Sequence, residues 1–272
     1  MRSAGVETHE VPVSEGAAVD IPPDEALTDD AFLGGRLCLL QPPRGHRAGH
    51  DAMLLAASAP ADARRAVDLG AGVGAAGLAF AVRADKAEVT LVEIDPPTAA
   101  LAARNAARQQ PDIAVRVKVV VADIARLGRP SGPERPAAGS ADLVLMNPPF
   151  NDPARHRASP HAGRALAHSV ADADAETWLR AAERLLEAGG RLALIHRPEA
   201  IEALLAAMKG RFGAVTIRPV HPLPDAPANR VLIGAVKGRR TPPALLPGLV
   251  LSDGAGRPSE TAERLLRRGE AI

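Results

Sequence analysis

The feature that most constrains the fold is a regular alternation of strand-like and helical patterns from residue 66 onward. Seven short apolar runs predict strands at 66–69, 89–94, 115–121, 143–146, 191–196, 215–220 and 231–236. Helical patterns separate them at 75–84, 97–109, 174–188 and 199–210. We expect Gly189-Gly190 to end the third helix as a left-handed cap. Strands that alternate with helices predict an α/β fold, a mostly parallel sheet with helices on both faces.

The sequence divides into three parts. Residues 1–26 mix acids, Gly and Pro with few large apolar groups, which predicts a disordered acidic tail. We expect one domain over 27–240, which opens with a hairpin at 32–42 followed by an apolar helix capped by Asp51. Residues 241–272 are Pro/Gly-rich and are predicted to form an extension packed on this domain.

Charge is unevenly distributed along the chain. The first 30 residues hold eight acidic side chains against one arginine, a net charge of −7, while residues 31–272 hold 32 basic against 24 acidic side chains, a net charge of +8. Only four of the 33 basic residues are lysine, and arginine is the better partner for phosphates and for base stacking. The basic body therefore favours a nucleic-acid partner, and the alternative is that an Arg- and Ala-rich composition reflects genomic base content.

Cysteine usage and hydropathy bear on the compartment. Cys38 is the only cysteine, so no intramolecular disulfide can form. The longest uncharged apolar run, at 75–82, is too short to span a bilayer. We therefore expect a cytoplasmic protein that does not interact with membranes.

A glycine-rich turn follows the first predicted strand. In open α/β sheets the ligand lies beyond the carboxyl ends of the strands, and here Asp68 is followed by Gly70, Gly72 and Gly74. With Gly77 these glycines also satisfy the dinucleotide fingerprint, so a nicotinamide enzyme is an alternative. Asp68 argues against it, because a carboxylate here would repel a pyrophosphate but attract, directly or through water, the ammonium of a methionine moiety. The turn thus favours S-adenosylmethionine as cofactor.

Acidic residues also end the second and third predicted strands. Glu93 can accept both hydroxyls of a ribose, with Asp95 as a nearby alternative and a solvated acid as the plain interpretation. Asp123 can accept the amino group of an adenine while the backbone N–H of Ile124 donates to its ring, although Asp123 is also a natural helix cap. These residues complete a predicted donor site.

The fourth predicted strand runs directly into Asn147-Pro148-Pro149-Phe150. An exocyclic amine on a planar group is a poor nucleophile, because its lone pair is delocalised. The side-chain oxygen of Asn147 and the carbonyl of Pro148 can each accept one N–H and so localise that lone pair. Consecutive prolines restrict the backbone and fix the direction of the carbonyl, and Phe150 can stack on the substrate. The motif predicts a catalytic site formed by Asn147, Pro148 and Phe150, with Asn147 also beside the donor and Pro149 contacting the substrate.

This motif and the Asp68 turn resemble those of the N6-adenine and N5-glutamine amino-methyltransferases. Over residues 28–255 the chain is further similar to the bacterial tRNA (valine) adenine-N6 methyltransferase group. The similar flanking segments are Thr28-Asp29-Asp30, Leu33-Gly34-Gly35, Gly45-His46-Arg47, Asp51-Ala52, Asn229-Arg230-Val231-Leu232 and Ala235-Val236-Lys237-Gly238. The resemblance implies a Rossmann-like class I methyltransferase with a seven-stranded sheet whose last strand pair is antiparallel. It also implies action on the adenine beside the anticodon of a valine tRNA.

Two positions depart from the pattern of that group. It usually has Tyr where His46 stands, and often Tyr at Phe150, whereas this chain has no tyrosine. Phenylalanine keeps the stacking surface, so amino-methylation remains the expectation. The change at His46 removes the basis for giving that position a role in the donor pocket.

Basic residues follow the catalytic motif and are predicted to contact RNA, in particular tRNA. The predicted substrate contacts, besides Pro149, are Arg47, Arg155, Arg157 and Arg164. His156, His161 and His168 are interleaved with them at spacings that suit no standard zinc site, so no metal is expected. Trp178 lies in an amphipathic helical pattern and is expected in the core rather than as a base-stacking platform. We expect the protein to act as a monomer.

Several other functions share part of this sequence pattern. Guanine-N2 methylation of ribosomal RNA uses the same Asn-Pro-Pro-Phe motif. Release-factor glutamine methyltransferases have a dedicated helical domain ahead of the sheet. Here only about 60 residues precede the first predicted strand. DNA adenine methylation is a further alternative, although no added target-recognition domain is visible in this sequence. A non-catalytic donor-binding or RNA-binding module would not need Asn147, so the intact motif favours an enzyme.

Overall fold

The computed structural model describes residues 26–44, 47–128, 135–149 and 175–272. The described chain begins with a hairpin, in which β1 (Thr28–Phe32) pairs antiparallel with β2 (Leu37–Gln41) through a 3-10 turn. The hairpin starts four residues earlier than predicted. Almost all of the predicted acidic tail lies outside the described residues.

Seven strands form the body of the main sheet, in the order β8-β9-β7-β6-β3-β4-β5. Their bounds are β3 Arg65–Leu69, β4 Glu88–Glu93, β5 Val117–Val121, β6 Ala141–Met146, β7 Leu186–His196, β8 Phe212–His221 and β9 Arg230–Lys237. Only β9 runs antiparallel to its neighbours among these seven described strands. The predicted seven-stranded, mostly parallel sheet is therefore confirmed. Two short strands, β10 (Ala244–Leu245) and β11 (Leu249–Val250), extend its edge beside β8.

Helices cover both faces of this sheet. The described helices are α1 His50–Ser58, α2 Ala75–Arg83, α3 Pro96–Ala107, α4 Pro111–Ala114, α5 at residues 175–185, α6 Ile201–Met208 and α7 Glu260–Ala262, which continues as a π-helical turn, Glu263–Arg267. Side chains alternate along the strands, so Leu143 and Leu145 of β6 pack with α1 and α2 while Val144 and Met146 pack with α5 and α6. Two hydrophobic layers result, one on each face. The first lies between the sheet and helices α1 and α2, and the second between the sheet and helices α5 and α6.

The C-terminal residues pack on the first of these layers. Leu265 is buried against it, and the backbone N–H of Ile272 donates to the carbonyl of Ala57 in α1 at 3.1 Å. The position at which the domain ends and an extension begins stays a prediction.

Three local expectations were wrong. The third helix ends at residue 185, and Gly189 adopts its left-handed conformation (φ 79°) inside the irregular start of β7, where Leu186 pairs with Ala141 but Arg191 pairs with Leu143. The glycine pair therefore serves a bulge and not a helix cap. The predicted start of β5 is two residues early, because a short helix, α4, precedes it.

The third error concerns Asp51. The N-cap of α1 is Gly49, which has no side chain to offer. The Asp51 carboxylate instead accepts a hydrogen bond from Nε of Arg230 at 2.8 Å, which ties α1 to the first residue of β9. The sequence signal of a cap was overridden by a partner 179 residues away.

Asn105 of α3 joins the hairpin to the glycine turn. Its side chain is fully buried, accepts from the N–H of Leu40 at 2.8 Å and donates to the carbonyls of Leu40 and Val73, each at 3.0 Å. The amide thus uses both of its N–H donors and one of the two acceptor sites on its oxygen. Sequence reasoning missed this residue, since an isolated Asn in a helix carries no signal of its partners.

Replacing Asn105 by leucine should lower the free energy of unfolding by about 3 kcal/mol, because three buried backbone groups lose their partner. Urea unfolding followed by circular dichroism measures the change. Gln109, just beyond the end of α3, also bonds β2 through the Cys38 carbonyl at 3.1 Å but is only half-buried, so Gln109→Leu should lower the free energy of unfolding by about 1 kcal/mol. Equal effects of the two variants would contradict the role assigned to Asn105.

Candidate active site

The strand registers bring three of the predicted site residues to one level of the sheet. Leu69 at the end of β3 pairs with Val92 of β4 and with Met146 of β6. The next residues, Gly70, Glu93 and Asn147, therefore stand side by side at the carboxyl edge. Neighbouring strands lie about 4.8 Å apart, and β5 continues the row beyond β4 toward Asp123. The order along the edge is Asn147, Gly70, Glu93, Asp123.

The glycine turn between β3 and α2 is open toward this edge. Gly70, Gly72 and Gly74 have φ angles of 64°, 57° and 92°, in the left-handed region that favours glycine. A side-chain carbon built on Gly72 would meet nothing within 4 Å, so there is free space in front of the turn. Gly74 is the N-cap of α2, whose N-terminal backbone donors face the same end. This cradle fits a ligand that approaches the backbone closely.

Glu93 is held rigidly behind the turn. Its Oε2 accepts from the N–H of Gly72 at 2.9 Å, and its Oε1 accepts from the N–H groups of Ile94 at 2.8 Å and Asp95 at 3.0 Å. Three bonds leave about one of the four acceptor sites of a carboxylate for a ligand hydroxyl. The side chain is 9% exposed and oriented in advance. Asp95, the alternative, accepts from the N–H and hydroxyl of Thr98 and caps α3.

Asp68 lies beneath the turn. At 2% exposure its Oδ2 accepts from the N–H of Gly77 at 2.7 Å, so it caps the first turn of α2. A side chain on Gly77 would collide with Leu91, at 2.3 Å, which explains a glycine there. Burial, and to a lesser degree the charge of Glu93, raises the pKa of Asp68 to about 7, against the lowering effect of the Gly77 hydrogen bond. Such burial favours the indirect form of the predicted role, attraction of an ammonium through water or across the turn.

If Asp68 attracts the donor as predicted, its raised pKa should make donor binding depend on pH. The folded-state pKa of about 7 exceeds the unfolded value of 3.8, so the proton stabilises the free protein below both values and this contribution is lost as pH rises through 7. A cationic ligand favours the ionised form. We expect the affinity for S-adenosylmethionine to rise about five- to tenfold between pH 6.0 and 7.5, with proton release on binding, as measured by calorimetry. An Asp68→Asn variant should lose this pH dependence, and a flat profile in the parent would contradict the assignment.

The predicted catalytic motif follows β6 directly. Asn147 is half-buried, Pro148 is buried and Pro149 is exposed. No hydrogen bond joins the Asn147 side chain to another described residue. Phe150 lies outside the described residues.

In the structure Asp123 is a helix cap, the second of the two roles that the sequence allowed. It is the N-cap of a 3-10 turn, Ile124–Arg126, and its Oδ1 accepts from the N–H of Ala125 at 2.9 Å. Its Oδ2 lies 3.9 Å from Nε of Arg126. The cap positions the carboxylate at the far end of the row, and its contact with an adenine, like that of Ile124, stays a prediction.

Arg47 is bonded within the N-terminal hairpin region. Its guanidinium forms an ion pair with Asp30 and donates to the carbonyl of Pro42 at 3.2 Å, while Asp30 also accepts from Gln41 and Thr28. The proposed phosphate contact would have to share these donors and stays a prediction. The other predicted RNA contacts, Arg155, Arg157 and Arg164, lie outside the described residues, as do His46, His156, His161 and His168.

Two further properties concern the described part of the chain. It contains no group of three or more His, Cys, Asp or Glu side chains placed to hold a metal ion. None of its helices is both long enough and apolar enough to cross a membrane.

Comparison with known protein families identifies the type of domain. Residues 49–218 match the family described as methyltransferase small domain. Among similar sequences, a protein of Porphyromonas gingivalis strain W83 named tRNA1(Val) (adenine(37)-N6)-methyltransferase is 32% identical over 194 residues, covering 68% of this chain and 72% of its own. One of the same name from Aeromonas hydrophila is 32% identical over 203 residues, covering 71% and 77%.

Solved structures agree on the fold. A predicted O-methyltransferase from Agrobacterium tumefaciens superposes with a TM-score of 0.65 at 32% identity, covering 82% of this chain and 98% of its own. The Thermus thermophilus 16S rRNA N2 G1207 methyltransferase in complex with AdoMet and guanosine has a TM-score of 0.52 at 20% identity, covering 81% and 47%. The second likeness is one of fold alone.

Proposed function

Because this chain belongs to the methyltransferase small-domain family and is an S-adenosylmethionine-dependent N-methyltransferase with a class I fold, we propose that its acceptor is N6 of an adenine in tRNA. The observation that carries the proposal is the row of Asn147, Gly70, Glu93 and Asp123 at one edge of the sheet. The Asn147 amide, which would position the acceptor, lies at one end of the row. The residues that would bind the donor, Gly70, Glu93 and Asp123, follow it along the edge.

The donor would lie along this row. Gly70, Gly72 and Gly74 would approach its methionine part, Glu93 would accept from its ribose, and Asp123 with the N–H of Ile124 would hold its adenine. S-adenosylmethionine supplies an electrophilic methyl group, so the protein need not activate the methyl carbon. The remaining task for the protein is to present the acceptor nitrogen.

Asn147 and Pro148 would perform that task. The amide oxygen of Asn147 and the carbonyl of Pro148 accept the two N–H bonds of the amine and turn its lone pair toward the donor. The two consecutive prolines would restrict the direction of the Pro148 carbonyl, and Phe150 would stack on the base. The proton can leave after methyl transfer, so no base of shifted pKa is required beside the amine.

The acceptor atom is the point on which the names of similar proteins differ. The Agrobacterium tumefaciens protein is named as a predicted O-methyltransferase, and the Porphyromonas gingivalis protein as an adenine-N6 methyltransferase. A hydroxyl acceptor needs a base to remove its proton, which an asparagine cannot supply. An amide acceptor for N–H groups at position 147 serves a nitrogen instead. We therefore propose nitrogen, with guanine N2 in rRNA and glutamine N5 in a protein as the competing acceptors.

The test separates the three acceptors. The purified protein is incubated with labelled S-adenosylmethionine and, in separate reactions, total tRNA, ribosomal RNA and release factors, and the products are digested and identified by mass spectrometry. We expect N6-methyladenosine from tRNA, with an Asn147→Ala protein as the background control. Methylguanosine from rRNA or methylglutamine from protein as the main product would contradict the proposal.

A further inference from the structure

Trp178 lies in α5 and contacts the glycine turn. A side-chain carbon built on Gly70 would lie 2.4 Å from Cη2, 3.1 Å from Cζ3 and 3.4 Å from Cζ2 of the indole. The Cη2 edge of the six-membered ring of Trp178 therefore occupies the space in which a side chain on Gly70 would stand. The sequence pattern predicted a core residue, and the ring does pack against the second hydrophobic layer, but it is only partly buried.

Gly70 lies at the proposed donor site, so its contact with Trp178 bears on donor binding. Gly70 stands between Asn147 and Glu93 in the row at the carboxyl edge. With the ribose at Glu93 and the transferred methyl group facing Asn147, the sulfur that links them would lie beside Gly70. The indole would then border the part of the site that receives the only cationic sulfur in the reaction.

An indole suits such a neighbour. The benzenoid ring of tryptophan is the strongest cation-binding face among the aromatic side chains, and the attraction grows when water is excluded. The methylsulfonium of the donor is a cation, whereas the thioether left after transfer is neutral. A ring at this point whose face is turned toward the sulfonium would therefore hold the donor more tightly than the product.

We propose that Trp178 is a donor-binding residue whose ring contacts the sulfonium end of S-adenosylmethionine and favours it over S-adenosylhomocysteine. The proposal rests on the donor arrangement proposed above. It assigns to an apparent core residue a role in discriminating substrate from product, which would assist product release.

The chain provides its own probe for the test. Trp178 is its only tryptophan and the chain contains no tyrosine, so selectively excited emission reports on this ring alone. Titration of the full chain with S-adenosylmethionine should change the emission intensity, and calorimetry on the same samples measures binding independently. Donor binding by calorimetry with unchanged emission would overturn the proposal and leave the methyltransferase function intact. No binding by calorimetry would instead contradict the donor site itself.

Variants of Trp178 separate donor contact from packing. Trp178→Leu should weaken S-adenosylmethionine binding about tenfold and S-adenosylhomocysteine binding about twofold or less, and Trp178→Phe should lie between parent and leucine variant for the donor. Arg180→Ala, an exposed change in the same helix, is the matched control and should leave both affinities and the emission response unchanged. Circular dichroism confirms folding. Equal weakening of both ligands in the phenylalanine and leucine variants would show a packing role and overturn the proposal.

Discussion

Asn147→Ala is expected to lower the methylation rate by about a hundredfold or more while leaving the affinity for S-adenosylmethionine within a few fold. The variant removes a preorganised acceptor that acts on the amine mainly in the transition state, so the loss should appear in kcat. Single-turnover methylation of tRNA measures the rate, and calorimetry measures donor binding.

The matched control is Asn147→Asp. A carboxylate keeps an oxygen acceptor at the same position, so this variant should retain much more activity than the alanine variant. A fully active Asn147→Ala enzyme, or equal loss in both variants together with lost donor binding, would remove the amine-positioning mechanism.

Glu93→Ala is expected to weaken donor binding about 30- to 100-fold, because a hydrogen bond to a charged acceptor is lost along with the support of the turn. The Glu93 carboxylate accepts from Gly72, Ile94 and Asp95, so its removal also frees the backbone that faces the donor. Calorimetric titration with S-adenosylhomocysteine gives the affinity without turnover.

Asp95→Asn distinguishes the two acidic residues at the end of β4. Asn is as good an N-cap as Asp, so α3 should be unaffected, and donor affinity should stay within about twofold. A large loss in this variant, with near-normal binding in Glu93→Ala, would assign the ribose to Asp95 and refute the order proposed along the edge.

The sequence by itself determined the fold class, and the chemistry proposed for the motif also comes from the sequence. Strand and helix periodicity depends on neighbouring residues, so the seven strands were predictable to within a few residues, apart from the early start of β7 at Leu186. The chemistry of Asn147-Pro148 is likewise local, since acceptor atoms and a restricted backbone are properties of those residues themselves. The errors arose where local signals competed with tertiary partners, as at Asp51.

Only the tertiary structure decided how these residues meet. The alignment of Gly70 with Glu93 and Asn147 depends on the registers of three strands distant in sequence. The partners of Asn105 and the contact of the Trp178 ring edge with Gly70 likewise depend on which faces pack together. A sequence pattern specifies which face of an element is apolar but not which residue will stand opposite, because register and packing are set by the free energy of the whole assembled core.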